Sequence, residues 1–325
     1  MRKKLFALML AFVFTIAMGS TAFAATVQKL PVKVMIISIF EVGEKEGDYP
    51  GEYQRLYERY LKGSENIAIK GTMNGVDYKD GILGTLVGMG KASSASTMMA
   101  ILKDPRFDFS KTYFITSACA GGNPNLVTTG SVCIADKAMD IEYGYRWVNK
   151  EDKNGNYQYE PMQSQASNGQ LIYNKKLVDW AYNLTKDMVL VNSKEADHFR
   201  SLYKQKAAHE NPKVVIGSLA SADAFTHGTG YAKTATRIVK KYVDGEYTAA
   251  EFEDNAIGLV LKRMGYLKRT LTVRSIVNFD RPAKAGSMNA TLDEKTGAFY
   301  MGIQNGSAVV KKITDNILKN WDKLN

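Results

Sequence analysis

The residues best suited to chemistry begin with a run of small side chains, Ser117-Ala118-Cys119-Ala120-Gly121-Gly122, directly behind the apolar stretch Tyr113–Ile115. Small residues after a strand leave no Cβ between a ligand and the backbone N–H groups, so such a run can cradle a polar group. Taken alone it reads equally well as a tight turn between buried strands. A second β-like run, Gly130-Ser131-Val132-Cys133-Ile134-Ala135-Asp136, follows it. Three later segments carry polar and aromatic residues together: Ser221-Ala222-Asp223-Ala224-Phe225, Phe252-Glu253-Asp254-Asn255-Ala256, and Val273 through Pro282. In the last of these, Asn278 and Asp280 are two apart and would share one face of a strand. The histidines, His198, His209 and His227, are scattered, with no HExxH and no Cys/His cluster, which argues against a metal site. Cys119 and Cys133 are the only cysteines. An exported setting permits a disulfide between them, and two buried free thiols are the alternative.

Alternating strands and helices must position these residues. Val32–Phe40 reads as a buried strand, and Pro50 opens an amphipathic helix over Gly51–Lys62. Asn74-Gly75 predicts a hairpin between Ile67–Lys70 and Val76–Tyr78. Strands are expected at Gly81–Gly88, Tyr113–Ser117, Ser131–Ala135, Lys213–Leu219 and Leu271–Asn278. Helices are expected at Ser93–Leu102, Lys175–Lys186, Ser193–Ala207, Tyr231–Tyr242, Ala250–Met264 and Ser307–Leu324. The polar segment 142–170, with Asn154-Gly155 at its tip, looks like an inserted excursion. This alternation predicts an α/β fold, a three-layer αβα sandwich around a mixed, largely parallel central sheet.

The first residues have the layout of an export signal: Arg2-Lys3-Lys4, the apolar Leu5–Met18, then small residues up to a cleavage point after Ala24. No Cys follows that point, which argues against a lipid anchor. The expected mature chain is therefore 25–325, one domain, periplasmic or extracellular. Beyond the signal no apolar run approaches the ~20 residues that span a bilayer. The formal charge of +10 falls to +7 without Arg2, Lys3 and Lys4. Lys and Arg are dispersed rather than clustered with aromatics, which argues against nucleic acid as a partner.

The order of these segments resembles the nucleoside phosphorylase and nucleosidase superfamily and, more narrowly, is similar to the purine nucleoside permease family. The elements that carry the resemblance are Asp223-Ala224-Phe225-Thr226-His227-Gly228, Glu253-Asp254-Asn255-Ala256 and Phe279-Asp280-Arg281-Pro282. The resemblance implies a phosphorylase-like fold and a pocket for a purine nucleoside, the glycosidic bond of which breaks through an oxocarbenium-like sugar. It implies that Glu253 accepts hydrogen bonds from both ribose hydroxyls, as two carboxylate oxygens can. It places Phe225 over the base, where stacking is worth ~1–3 kcal/mol, with Asp223 and His227 flanking it. Cys119, Gly121 and Gly122 form the cradle. Asn278, with Asp280 beside it, faces the base where many relatives carry Asp; a well-placed acid there gives about 10²–10⁴-fold, roughly 3–5 kcal/mol.

The nucleophile is left as water or phosphate. Hexameric phosphorylases of the superfamily carry an Arg just before the small-residue turn, and Thr112–Thr116 contains none, although Arg55 and Arg59 on the first helix offer substitutes. Nucleosidases carry a water-activating Glu after the first strand; Glu41 and Glu44 are the carboxylates available here. No cofactor is expected, with inorganic phosphate the one candidate co-substrate. Two functions fit: an exported enzyme cleaving purine nucleosides, or a non-catalytic binding component handing nucleoside to a membrane transporter. A homo-oligomer is compatible with either.

Overall fold

The computed structural model describes residues 28–146, 159–162, 166–284 and 295–324. Its main sheet has ten strands: β1 (Val34–Ser38), β2 (Glu65–Ile67), β3 (Val76–Lys79), β4 (Ile82–Leu86), β5 (Tyr113–Gly122), β6 (Val132–Asp140), β7 (Gln170–Ile172), β8 (Val214–Ser221), β9 (Tyr247–Glu251) and β10 (Thr270–Phe279). Helices of seven residues or more are α1 (Gln54–Tyr60), α2 (Lys91–Leu102), α3 (Lys175–Thr185), α4 (Lys194–Ser201), α5 (Thr229–Val243), α6 (Asp254–Arg263) and α7 (Phe299–Lys319).

The spatial order is β7-β6-β8-β9-β5-β1-β4-β3-β2. The pairs β1–β4, β1–β5, β8–β6, β8–β9 and β10–β5 are parallel; β9–β5 and β10–β6 are antiparallel, as are β7–β6, β3–β4 and β2–β3 at the two ends. β10 pairs with both β5 and β6, so β6, β8, β9, β5 and β10 form a closed ring of hydrogen-bonded strands. Both faces of β1 and β5 are covered, which is why they read as near-continuous apolar runs: strands covered on both faces have no solvent side to alternate with.

Helices cover the sheet from both sides. α7 buries Val309, Val310, Ile313 and Ile317 together with Val178 and Ala181 of α3. α2 and α6 bury Met98, Ile101, Ile257, Val260 and Leu261 in a second cluster. α5 packs Ala232, Ala235, Ile238 and Val239 against Ala220 of β8. Each such branched side chain contributes roughly 1.5–3 kcal/mol through burial, against the entropy of ordering it.

Several expectations shift. The segment 117–122, expected as a turn, continues the strand, held by β10 along one edge and by Ala249 and Ala250 of β9 on the other. Ala250 is accordingly strand, not the start of a helix, because pairing there overrides alanine's helix preference. Asn74-Gly75 does not form a two-residue hairpin: Ile67 pairs with Val76 across the connection 68–75, and the tight turn lies at Asp80-Gly81, both with positive φ. The helix expected over 193–207 stops at Ser201, and α7 begins earlier than expected, at Phe299. Of the excursion, Gly144–Arg146 pairs with Tyr159–Pro161; Asn154-Gly155 lies outside the described residues. Cys119 and Cys133 are both free thiols.

Candidate active site

The C-terminal ends of β1, β5, β9 and β10 converge on one pocket, the position where sheets with parallel strands hold their ligands. Its empty space, counting the open mouth, is about 660 Å³. β1 contributes the following Ile39 and Phe40, β5 contributes Cys119, Ala120 and Gly121, and β10 contributes Arg274 and Val277 through Asp280. Glu251, Phe252 and Glu253 come from the β9–α6 junction, Met89 from the loop before α2, Phe225 to His227 from the loop after β8, and Glu52 from the approach to α1.

A bulge sets the aim of the β10 side chains. Against β5, Ile276 pairs with Ala120 but Asn278 pairs with Gly121, so Val277 is an extra residue. The Asn278 amide then lies over the bare Cα of Gly121; a Cβ there would sit 3.0 Å from Asn278 Oδ1. Gly122 faces the other way, where a Cβ would meet Ile276 Cγ2 at 2.6 Å and Val127 Cγ1 at 2.8 Å. Gly121 thus lines the pocket while Gly122 serves strand packing.

One guanidinium organises the floor. Arg274, 1% exposed, donates to Asp254 Oδ2 (2.8 Å), Cys119 O (2.9 Å), Glu251 Oε2 (3.2 Å) and Glu253 Oε2 (3.3 Å). Burial opposes its charge, but Asp254, Glu251 and Glu253 outweigh this and hold its pKa well above the ordinary value. Glu251 also accepts from the N–H groups of Glu253 (2.6 Å) and Asp254 (2.7 Å) and from the Ser221 hydroxyl. Burial, then the neighbouring Asp254, raise the Glu251 pKa against the pull of Arg274. Glu253 Oε1 accepts from Gly90 N (3.0 Å), the residue capping α2, and burial raises its pKa too.

Glu52 stands opposite this group. Its carboxylate accepts from Cys119 N (2.7 Å) and Ile39 N (2.9 Å), tying the ends of β5 and β1 together. Burial pushes its pKa up to about 7, against Arg274 and those two hydrogen bonds. Burial and then Glu52 push the Cys119 thiol well up as well, so it is a poor nucleophile at neutral pH.

The structure brings Glu253, Asn278, Asp280, Phe225, His227, Cys119 and Gly121 to this pocket. Asp280 lines it, but its carboxylate is engaged by Arg281 (Nε 2.6 Å, Nη2 3.0 Å) and by the Tyr247 hydroxyl. Phe225, 52% exposed at the mouth, lies parallel to the His227 ring with centroids 5.5 Å apart. Asp223 stands outside and accepts from Lys91 N (2.6 Å) at the start of α2.

Glu41 and Glu44 do not line the pocket. Glu41 accepts from the N–H groups of Gly51, Tyr53 (3.0 Å) and Gln54 (2.6 Å), filling the unsatisfied donors at the start of α1. Glu44 is exposed on the loop beyond. Arg59 pairs with Asp315 on the surface, and neither it nor Arg55 lines the pocket. Sequence reasoning missed Glu52 because the loop 41–51 separates it from the strand it serves. Arg274 was visible in principle: a charged residue inside an otherwise apolar strand requires a buried partner.

Solved structures with this fold include a 5'-methylthioadenosine/S-adenosylhomocysteine nucleosidase from Neisseria meningitidis, with TM-score 0.55 and 17% identity, covering 87% of this chain and 99% of that one. Another is futalosine hydrolase of Helicobacter pylori, with TM-score 0.53 and 15% identity, covering 88% and 98%. Likeness at this level shows the fold alone. Among curated relatives, a protein described as a probable purine nucleoside permease of Schizosaccharomyces pombe is 28% identical over 265 residues, 72% of this chain and 75% of that one. The purine nucleoside permease of Candida albicans is 30% identical over 262 residues, 73% of this chain but 64% of its own length. The model of the purine nucleoside permease (NUP) family matches residues 31–324, nearly the whole described chain, and the protein belongs to that family.

Proposed function

We propose that the protein is an exported purine nucleosidase, which binds a purine nucleoside in this pocket, cleaves its N-glycosidic bond with water and releases the base for uptake. The observation that carries the reading is Glu52. A buried carboxyl with a pKa near 7 exchanges its proton at neutral pH, as a water-activating base requires, and it shares a pocket with Glu253 and Asn278. Glu52 takes the place expected of Glu41 or Glu44. It accepts a proton from the attacking water while the water oxygen bonds to the anomeric carbon and the base departs with the bonding electrons. Glu253 accepts hydrogen bonds from the ribose hydroxyls, Phe225 covers the base and Asn278 hydrogen-bonds it. The acids around Arg274 favour the positive charge that develops on the sugar. The reaction needs no cofactor. Among the described residues Arg274 is the one Arg lining the pocket, and it is engaged by Asp254, Glu251, Glu253 and the Cys119 carbonyl, which supports water over phosphate.

A second reading is a non-catalytic component that delivers nucleoside to a membrane transporter. It is supported by the neutral amide at Asn278 and by the permease names of the relatives. Among the described residues no helix is long and apolar enough to cross a membrane, so transport on this reading needs a partner. Incubating the mature protein with inosine, adenosine and guanosine, with and without phosphate, separates the cases. Free ribose at a phosphate-independent rate is expected. Ribose 1-phosphate formed at a rate that saturates in phosphate would overturn water as nucleophile. Tight nucleoside binding without base release would favour the transport component.

A further inference from the structure

The ionisable side chains lining the pocket are almost all committed to protein partners. Glu52 accepts two backbone N–H groups, Glu251 and Glu253 are shared between backbone and Arg274, and Asp280 is engaged by Arg281 and Tyr247. His227 is different. Both its ring nitrogens are shielded from solvent, and neither has a hydrogen-bond partner among the described residues. Buried polar atoms are nearly always paired, so an imidazole with both nitrogens unpaired in a ligand pocket is aimed at something the pocket receives.

The loop that carries it is held firmly. Gly228, with φ +131, adopts a conformation that suits glycine, and its N–H donates to Asp280 O (2.8 Å), pinning the loop to the end of β10. Gly228 O in turn accepts from Ala232 N in the first turn of α5. The imidazole plane is fixed by Phe225, which lies 8° from parallel to it. Burial keeps the ring's pKa below its ordinary value, with Asp280 opposing and Arg281 reinforcing, so at neutral pH it is uncharged. A neutral imidazole offers one N–H donor.

We propose that His227 donates this N–H to N7 of the bound purine and is the residue by which the pocket recognises the leaving base, an assignment that rests on the purine-binding reading above. N7 is the acceptor nitrogen in the ring that bears the glycosidic bond. Electrons released when that bond breaks delocalise onto it, so a donor placed there holds the base more strongly as cleavage proceeds. The carboxyl groups of the pocket are held by backbone N–H groups, Arg274 and Arg281, which leaves His227 and Asn278 as its neutral donors, and Asn278 reads the exocyclic substituent of the base.

The test compares hypoxanthine with 7-deazahypoxanthine, in which a C–H replaces N7 and the ring shape is kept. Titration calorimetry of the mature protein should show hypoxanthine binding roughly tenfold or more tighter, because a donor built for N7 is left unpaired by the analogue. The ratio should fall toward one in His227→Leu, recover in part in His227→Gln, and persist in Asn278→Ala. An unchanged ratio in His227→Leu overturns the proposal, as does a wild-type protein that binds both bases equally or binds neither. Should His227→Leu not fold, the ¹⁵N resonances of His227 in the wild type decide. They must move on addition of hypoxanthine and stay in place with the deaza analogue; movement with both, or with neither, overturns the proposal. Free-base binding involves no turnover. A chain that binds hypoxanthine in this way but releases no base from inosine would refute cleavage and leave this assignment standing.

Discussion

Glu253 is expected to tell nucleoside from free base. Glu253→Ala should weaken inosine binding by roughly ten- to a hundredfold, the worth of one charge-assisted hydrogen bond of about 1.5–3 kcal/mol. Hypoxanthine affinity should change little, because Arg274 keeps Glu251 and Asp254 as partners. Calorimetry with both ligands checks this, and equal losses would mean a structural role. Glu52 gives a second expectation. Its pKa in the folded protein, about 7, lies above its ordinary value of 4.5. The folded state therefore binds the extra proton, and the associated stability, complete below about pH 4.5, is lost as pH rises through 7. The difference corresponds to at most about 3 kcal/mol. Glu52→Gln cannot accept from both Cys119 N and Ile39 N, so it should be less stable at pH 5. Its stability should nevertheless fall less between pH 5 and 8 than that of the wild type, as denaturant melts at the two pH values would show. Residues next to a recognisable motif, such as Glu253 and Asn278, could be placed at the pocket from the sequence. Glu52 could not, because its function depends on a loop folding back onto a strand, and no local pattern encodes that return.

At the scale of elements, β5 and β10 depend on small residues where they press together. Gly122→Ala should destabilise the protein by about 1–3 kcal/mol, since the new methyl meets Ile276 and Val127, both buried and stiffly branched. Urea denaturation measures it, and a neutral result would show that the ring is loosely packed here. Ile313→Ala on α7 should cost more, about 2–5 kcal/mol, by opening a cavity in the largest core cluster. Apolar runs and helical periodicity were enough to find β1, β8, α2, α3 and α5 within a few residues. The failures share a cause. Ser117 through Gly122 and Ala249-Ala250 have the composition of turns or helices, and only partners distant in sequence make them strand. The bulge at Val277, which aims Asn278, is likewise a property of pairing and leaves no trace in the residue types.

For the whole molecule, we propose that residues 1–24 are an export signal, a reading that predicts a species beginning at Ala25 in the cell envelope or medium. Intact-mass measurement of the fractionated protein tests this, and a full-length species retained in membranes would contradict it. The dispersed positive charge, +10 and still +7 without Arg2, Lys3 and Lys4, predicts retention on cation exchangers without affinity for nucleic acid.

The closed ring of strands also dictates an order of assembly. β5 and β6 are neighbours in sequence, yet β10 lies between them in space, so the gap must be held open until residues 270–279 have been made. Every chain shorter than this leaves one edge of β5, and one edge of Val132–Ile134 at the start of β6, without a partner strand, and bare strand edges are prone to pair with another molecule. The same late strand carries Arg274, around which the acids of the pocket gather. In the finished fold Arg274 is the cation that faces Glu52, Glu251, Glu253 and Asp254, so the pocket is complete only once β10 is in place.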